Sequence, residues 1–176
     1  MIRHGRTLSL GCLLLLLPLW AVAGGNSLLI PATSRCALGT VPDALPEALR
    51  ACEQAARGGD AQAAYELGEF HYSGQYAPRE LDKALHWFEQ ASLAGHPQAQ
   101  HKLGVMFFRG EGVPANNVQA YIVLKMSAVN GEEQALDTAD RVSEQMRRDE
   151  LEVATQVLGQ IFRNFMRELR ASDEGR

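Results

Sequence analysis

The sequence predicts an all-α protein: a short α-solenoid of antiparallel helix pairs, with two full repeats and helical caps. Three observations carry this. Laid on itself at an offset of 36 residues, the chain brings Gly59 onto Gly95 and Gly131, Gln62-Ala63 onto Gln98-Ala99 and Gln134-Ala135, and Leu67-Gly68 onto Leu103-Gly104. At the same offset Gly74 falls on Gly110, Pro78 on Pro114 and Ala84 on Ala120. Apolar residues inside each unit recur at three- and four-residue spacing, the period of a helix buried on one face. Glycine and proline interrupt that period at fixed places, where one helix must stop before another starts.

Residues 1–23 stand apart and read as an export signal. Arg3, His4 and Arg6 make a short basic start, an apolar run covers 8–19, and Ala21-Val22-Ala23 supplies the small-x-small pattern of a cleavage site. The predicted cut follows Ala23, which makes the mature chain periplasmic or secreted. An uncleaved membrane anchor is the alternative, but Pro18 and the small residues after it fit cleavage better. Removing 23 of the 176 residues leaves 153, the size of one domain. Two arginines and no acids are lost with them, so the formal charge moves from −4 to −6. Lys and Arg are scattered rather than clustered, which argues against nucleic acid. No second apolar stretch is long enough to span a bilayer, so no integral membrane span is expected after cleavage.

Cleavage also leaves two cysteines, Cys36 and Cys52. An even pair in an oxidising compartment reads as one disulfide. Closing a loop of about 15 residues contributes roughly 3 kcal/mol in the chain-entropy view. Two free thiols are the alternative. No CxxC pair or histidine cluster accompanies them, so no metal site is expected.

Residues 24–43 lack helical periodicity and are predicted to be extended, pinned at Cys36 if the disulfide forms. The repeat domain occupies 44–170. Its first element, over 44–57, is a capping helix with Leu45, Leu49, Cys52 and Ala56 inward. The first repeat, about 59–94, places Ala63, Leu67 and His71 on one face of its first helix, which Ser73-Gly74 ends. Pro78 is expected to open the second helix, which carries Leu81, Ala84, Leu85, Phe88 and Ala91. The second repeat, about 95–130, follows the same plan with Leu103, Phe107 and Phe108, then Ala120, Tyr121, Leu124 and Ala128. The recurring alanines and glycines let neighbouring helices approach closely.

A degenerate third unit and a capping helix fill 131–170. A helix over 132–145 keeps Gln134-Ala135 but lacks the Leu-Gly pair. The last helix, from about 147 to 169, lines Leu151, Ala154, Leu158, Ile161, Phe165 and Leu169 along one face, with Val157, Phe162 and Met166 beside them. That stripe either packs on the preceding unit or leaves part of itself for a partner or a second copy. Residues 171–176 are expected to be a flexible tail.

Leu103-Gly104, Phe107 and Gly110-Glu111-Gly112-Val113-Pro114 resemble the core of the Sel-one-like repeat, a relative of the tetratricopeptide repeat. The stretch from Ala120-Tyr121 through Ser127-Ala128 to Gly131 is similar to the family's helix-closing pattern. The first unit departs from it: His71 stands where the family prefers tyrosine, and Gln75-Tyr76-Ala77 replaces a glycine-containing turn. The resemblance implies a protein-binding scaffold, not an enzyme, whose first helices line a concave groove.

Reactive constellations are absent from the sequence. No serine has a lysine three residues on, and there is no HExxH, Walker lysine or nucleophile elbow. His86, His96 and His101 fall at different helical phases, and His71 takes a core-type position. No catalytic residue, metal ligand or cofactor is nominated. If the first helices line a groove, helical phase directs Tyr65, Glu69 and Tyr72 into it, and His101, Val105 and Phe108 one repeat on. Aromatic groups there suit peptide capture, or they simply pack on the adjacent unit. The leading expectation is a periplasmic adaptor that holds another envelope or secreted protein. The alternatives are a cell-envelope hydrolase directed at cell-wall or β-lactam material, and a structural homodimer through the last helix.

Overall fold

The computed structural model describes residues 35–39 and 41–174. The predicted export signal at 1–23, and residues 24–34 and 40 of the segment after it, lie outside the described residues. Those described are all-helical: α1 (Leu45–Arg57), α2 (Ala61–Ser73), α3 (Leu81–Leu93), α4 (Pro97–Arg109), α5 (Asn117–Val129), α6 (Gln134–Ser143) and α7 (Arg148–Glu174). The offset of 36 reappears in the helix ends. It carries α2 onto α4, α3 onto α5, and α1 onto α3, each 13 residues long. In register, α1 is therefore the second helix of a unit whose first helix is missing among the described residues.

Local chemistry sets these boundaries. Asp60 caps α2 by accepting the Ala63 N–H at 3.0 Å, His96 caps α4 through the Ala99 N–H at 3.3 Å, and Asn116 caps α5 through the Gln119 N–H at 3.0 Å. Gly74 and Gly110 end α2 and α4 in the left-handed conformation, at φ 68° and 69°. The chain then turns back. The Glu80 N–H donates to the His71 carbonyl at 2.9 Å, and the Asn116 N–H to the Phe107 carbonyl at 2.8 Å. Pro78 and Pro114 lie in these loops, two residues ahead of the caps, so Pro78 does not open the second helix as its position predicts. The cap position must supply an N–H for the returning bond, which proline lacks.

Helix pairs α2/α3 and α4/α5 close around their small residues. Leu67, Phe88, Leu103 and Met106 fill the first core with Ala63, Ala84, Ala91 and Ala99. Leu124, Ala135, Ala139 and Val142 fill the second. The third unit breaks the pattern. Its loop spans only 144–147 instead of the seven residues of 74–80 and 110–116, and Ala139-Asp140 replaces Leu-Gly. An aspartate at the closest approach would be buried without a partner, which is costly. Accordingly α7 packs on α5, not back onto α6 as α3 does on α2.

Two expectations about the chain ends are corrected. The described part of the N-terminal segment forms bends and turns, not extended chain. The Cys36–Cys52 disulfide ties it to α1, and the Arg35 and Cys36 N–H groups both donate at 2.8 Å to the Glu66 carboxylate of α2. Two adjacent amides held on one carboxylate cannot belong to straight chain. At the other end, α7 continues through 171–174 as helix, where the sequence predicts a flexible tail.

Candidate functional site

Helices α2, α4 and α6 are the first helices of successive units; α4 contacts both of the others. Every nominated side chain except Val105 has a defined neighbour. The half-buried Tyr65 ring stacks on His96, centroids 4.6 Å apart and planes 17° from parallel. Burial, reinforced by Glu69, Glu132 and Glu66, pushes its hydroxyl up to about 12, so it stays a proton donor. His96 uses Nδ1 as the α4 cap, which leaves Nε2 to donate to Gln62 Oε1 at 2.9 Å. Burial pushes this imidazole down, keeping it in the neutral form that the cap requires.

Glu69 of α2 pairs with Lys102 of α4, whose Nζ lies 3.1 Å from Oε2 and 2.9 Å from Oε1. The same ammonium sits 5.3 Å from the centre of the Tyr72 ring. Tyr72 donates its hydroxyl to Glu111 at 2.7 Å, packs edge-on against Phe88, and carries the Arg79 guanidinium over its face at 4.6 Å. Burial and then the Glu111 hydrogen bond hold its pKa above the ordinary value. Tyr72 is thus a tie between the first repeat and the loop of the second.

His101 Nε2 lies 3.2 Å from Thr138 Oγ1 on α6. Thr138 gives its own proton to the Gln134 carbonyl, so it accepts from His101 and also from Arg141 Nη2 at 3.1 Å. Burial pushes His101 down as well. Val105 is half-buried, and Phe108 packs against the second core. Polar bridges thus run from helix to helix, Glu69 to Lys102 between α2 and α4 and His101 to Thr138 between α4 and α6. His71 is buried and bonded to Glu80 at 3.2 Å. His71, His96 and His101 each bond to a different partner, and among the described residues no three His, Cys, Asp or Glu side chains gather as a metal site.

Helical phase on single helices overlooked Lys102, Thr138 and Arg141, which make the bridges. A signal existed. Glu69 and Lys102 differ by 33 and His101 and Thr138 by 37, both within about one helical turn of the 36-residue repeat.

The comparisons with known proteins agree with this geometry. The family model described as Sel1 repeat matches residues 61–96 and 97–128, which begin where α2 and α4 begin. A Sel1 repeat protein from Oxalobacter formigenes is 31% identical to the chain, over 55% of this chain and 73% of that one, with a TM-score of 0.52. The chain belongs to the Sel1 repeat family. Two further solved structures share the fold at 22% identity. One is c5321, a protective antigen of uropathogenic Escherichia coli strains displaying an SLR fold, with a TM-score of 0.63 over 73% of this chain and 28% of that one. The other is cysteine rich protein B of Helicobacter pylori, with a TM-score of 0.50 over 53% of this chain and 70% of that one. None of the curated proteins matches. In this Sel1 repeat chain two repeats carry the pattern and a third has lost it, which bears out the fold class and the family resemblance read from the residues.

Proposed function

We propose that this Sel1 repeat protein is an exported scaffold that holds another envelope or secreted protein on the shared face of α2, α4 and α6. The observation that carries the reading is three successive first helices on which the half-buried Tyr65, His101 and Val105 stand with the Glu69–Lys102 ion pair. Pre-set side chains keep the entropic cost of binding low. Export is supported by the basic start, apolar run and Ala-x-Ala site of residues 1–23, and by the disulfide. No helix among the described residues is long and apolar enough to cross a membrane.

Site-directed photocrosslinking tests the reading. A crosslinking side chain at Val105 is expected to capture one discrete envelope protein. The same group at His86, exposed on α3, is expected to capture none. Capture at His86 alone would move the working surface off this face.

A specific observation favours a second reading, a homodimer through α7. At 27 residues α7 is roughly 40 Å long against roughly 20 Å for α5. Ala154 and Leu158 are buried, but Phe162, Phe165 and Met166 beyond them are exposed, Phe165 by 54%. Sedimentation of wild type and Phe165→Asp distinguishes the two: a dimer that the substitution converts to monomer supports this reading.

A further inference from the structure

Asn130-Gly131 ends α5 where the chain turns into α6. Gly131 stands at φ 102°, as Gly59 and Gly95 stand at 94° and 81° at the same point of the other units, so the turn requires glycine there. It makes no such demand one residue earlier, where the three units carry Gly58, Ala94 and Asn130. The asparagine meets a different need. Its Nδ2 donates to Gln100 Oε1 at 2.8 Å, and Gln100, 1% exposed, donates its Nε2 to the Ser92 carbonyl at 3.1 Å. One chain of bonds thus joins the ends of α3 and α5 through the first turn of α4.

We propose that Asn130 is a modification site: its side chain deamidates spontaneously, and Gln100 is the latch that slows the reaction. A following glycine is the least hindered neighbour for this chemistry, because no Cβ obstructs its backbone nitrogen. The Gly131 nitrogen, once its proton has gone to water, attacks Asn130 Cγ. An N–C bond forms, the Cγ–Nδ2 bond breaks, and the amide group takes up a proton and leaves as ammonia. Water then opens the cyclic imide at either carbonyl, giving aspartate or isoaspartate. No co-reactant besides water is needed, and Asn130 and Gly131 are both exposed to it. The native turn holds the reacting atoms apart. At ψ 4° the Gly131 nitrogen eclipses the backbone nitrogen of Asn130, whereas ring closure needs it on the Cβ side. The same nitrogen donates to the Ala128 carbonyl at 3.1 Å. Reaction therefore waits on an opening of this turn, which the Gln100 bond opposes.

The product cannot take the place of the asparagine. A carboxylate at 130 sets oxygen against Gln100 Oε1, and turning the Gln100 amide over sets oxygen against the Ser92 carbonyl instead. Either way two oxygens meet without a proton between them. Glu132 and Glu133 already make the turn acidic. Deamidation thus loosens the joint between the two repeats, and the loss of ammonia makes the change irreversible.

The test incubates the purified full chain in buffer and follows Asn130 by peptide mass spectrometry, beside a synthetic peptide of residues 126–134. Modification at Asn130 is expected, slower than in the peptide and faster as pH rises. Gln100→Leu is expected to speed it roughly fivefold, the scale of one hydrogen bond. The Cys36→Ser, Cys52→Ser variant, loosened at the other end of the domain, is expected to leave the rate unchanged. Asn130→Asp, made directly, is expected to lower the melting temperature, and Asn130→Ala to lower it less. Four results would each overturn the proposal: an intact Asn130 after the peptide has reacted fully, equal rates in wild type and Gln100→Leu, equal acceleration by loss of the disulfide, or an Asn130→Asp protein as stable as wild type.

Discussion

Gly104 lies so close under Leu124 that a Cβ added to it would meet Leu124 Cγ at 2.6 Å. One repeat earlier Gly68 lies under Phe88 in the same way, with ring carbons at 2.5 Å. These contacts set how closely the two helices of each pair approach. In the third unit the same positions hold Asp140 and Gln160, and α7 does not close on α6. Gly104→Ala is expected to destabilise the fold by about 1–3 kcal/mol through overpacking, net of alanine's better helix propensity. A denaturant titration measures this. Gly104→Ala with Leu124→Ala should cost clearly less than the two single changes added together, because each relieves the other's defect.

Gly159 is the contrasting case. It lies in α7, and an added Cβ would meet only the end of the Arg163 side chain, at 3.1 Å. That group can swing away. Gly159→Ala should therefore stabilise α7 by about 0.5–1 kcal/mol through backbone entropy alone. Slower amide exchange along α7, with the α2–α5 core unchanged, is the expected result.

Acid should loosen the joint between the two repeats. The α4 cap needs His96 Nδ1 unprotonated, and burial holds His96 below the ordinary 6.5 despite Asp60 and Glu66. Burial likewise lowers His71, against Glu80, and His101, against Glu132. A lowered histidine means that the unfolded chain binds more protons than the folded one. Stability is then fully present above 6.5 and falls as pH drops below it through the folded values. Melting temperature should decline over that range. His96→Asn keeps a capping side chain without a titrating ring, and should flatten part of the decline.

The disulfide should matter to more than its own ends. Cys36→Ser with Cys52→Ser is expected to cost roughly 3 kcal/mol, the value for a loop of this length. It should also free the Arg35 and Cys36 amides from Glu66. Denaturant midpoints with and without reductant measure the first effect, and amide exchange at residues 35–39 the second. Equal midpoints for wild type and variant under oxidising conditions would contradict the prediction.

The six nominated residues were only half legible in the sequence. Tyr65, Glu69 and Tyr72 follow from helical phase once Leu67 and His71 are placed inward. What each one touches does not follow, because Tyr72 meets Glu111 across 39 residues and Glu69 meets Lys102 across 33. Pro78 misled for a related reason. Pro78 marks a turn in either place, and only the returning bond from Glu80 to His71 shows that the cap must be a residue with an N–H.

The 36-residue period, the helix-ending glycine Gly74 with its repeat partner Gly110, and the pair of cysteines available to a disulfide could all be read from the sequence alone. Each is a short-range requirement, met by one residue type at one spacing. Tertiary structure decided the rest: that α7 lies on α5, that residues 35–39 fold onto Glu66, and that polar bridges cross from helix to helix. Such choices turn on which distant surfaces bury each other at the least cost in unpaired charge. Asp140 exerts its effect only against a helix that would have to cover it.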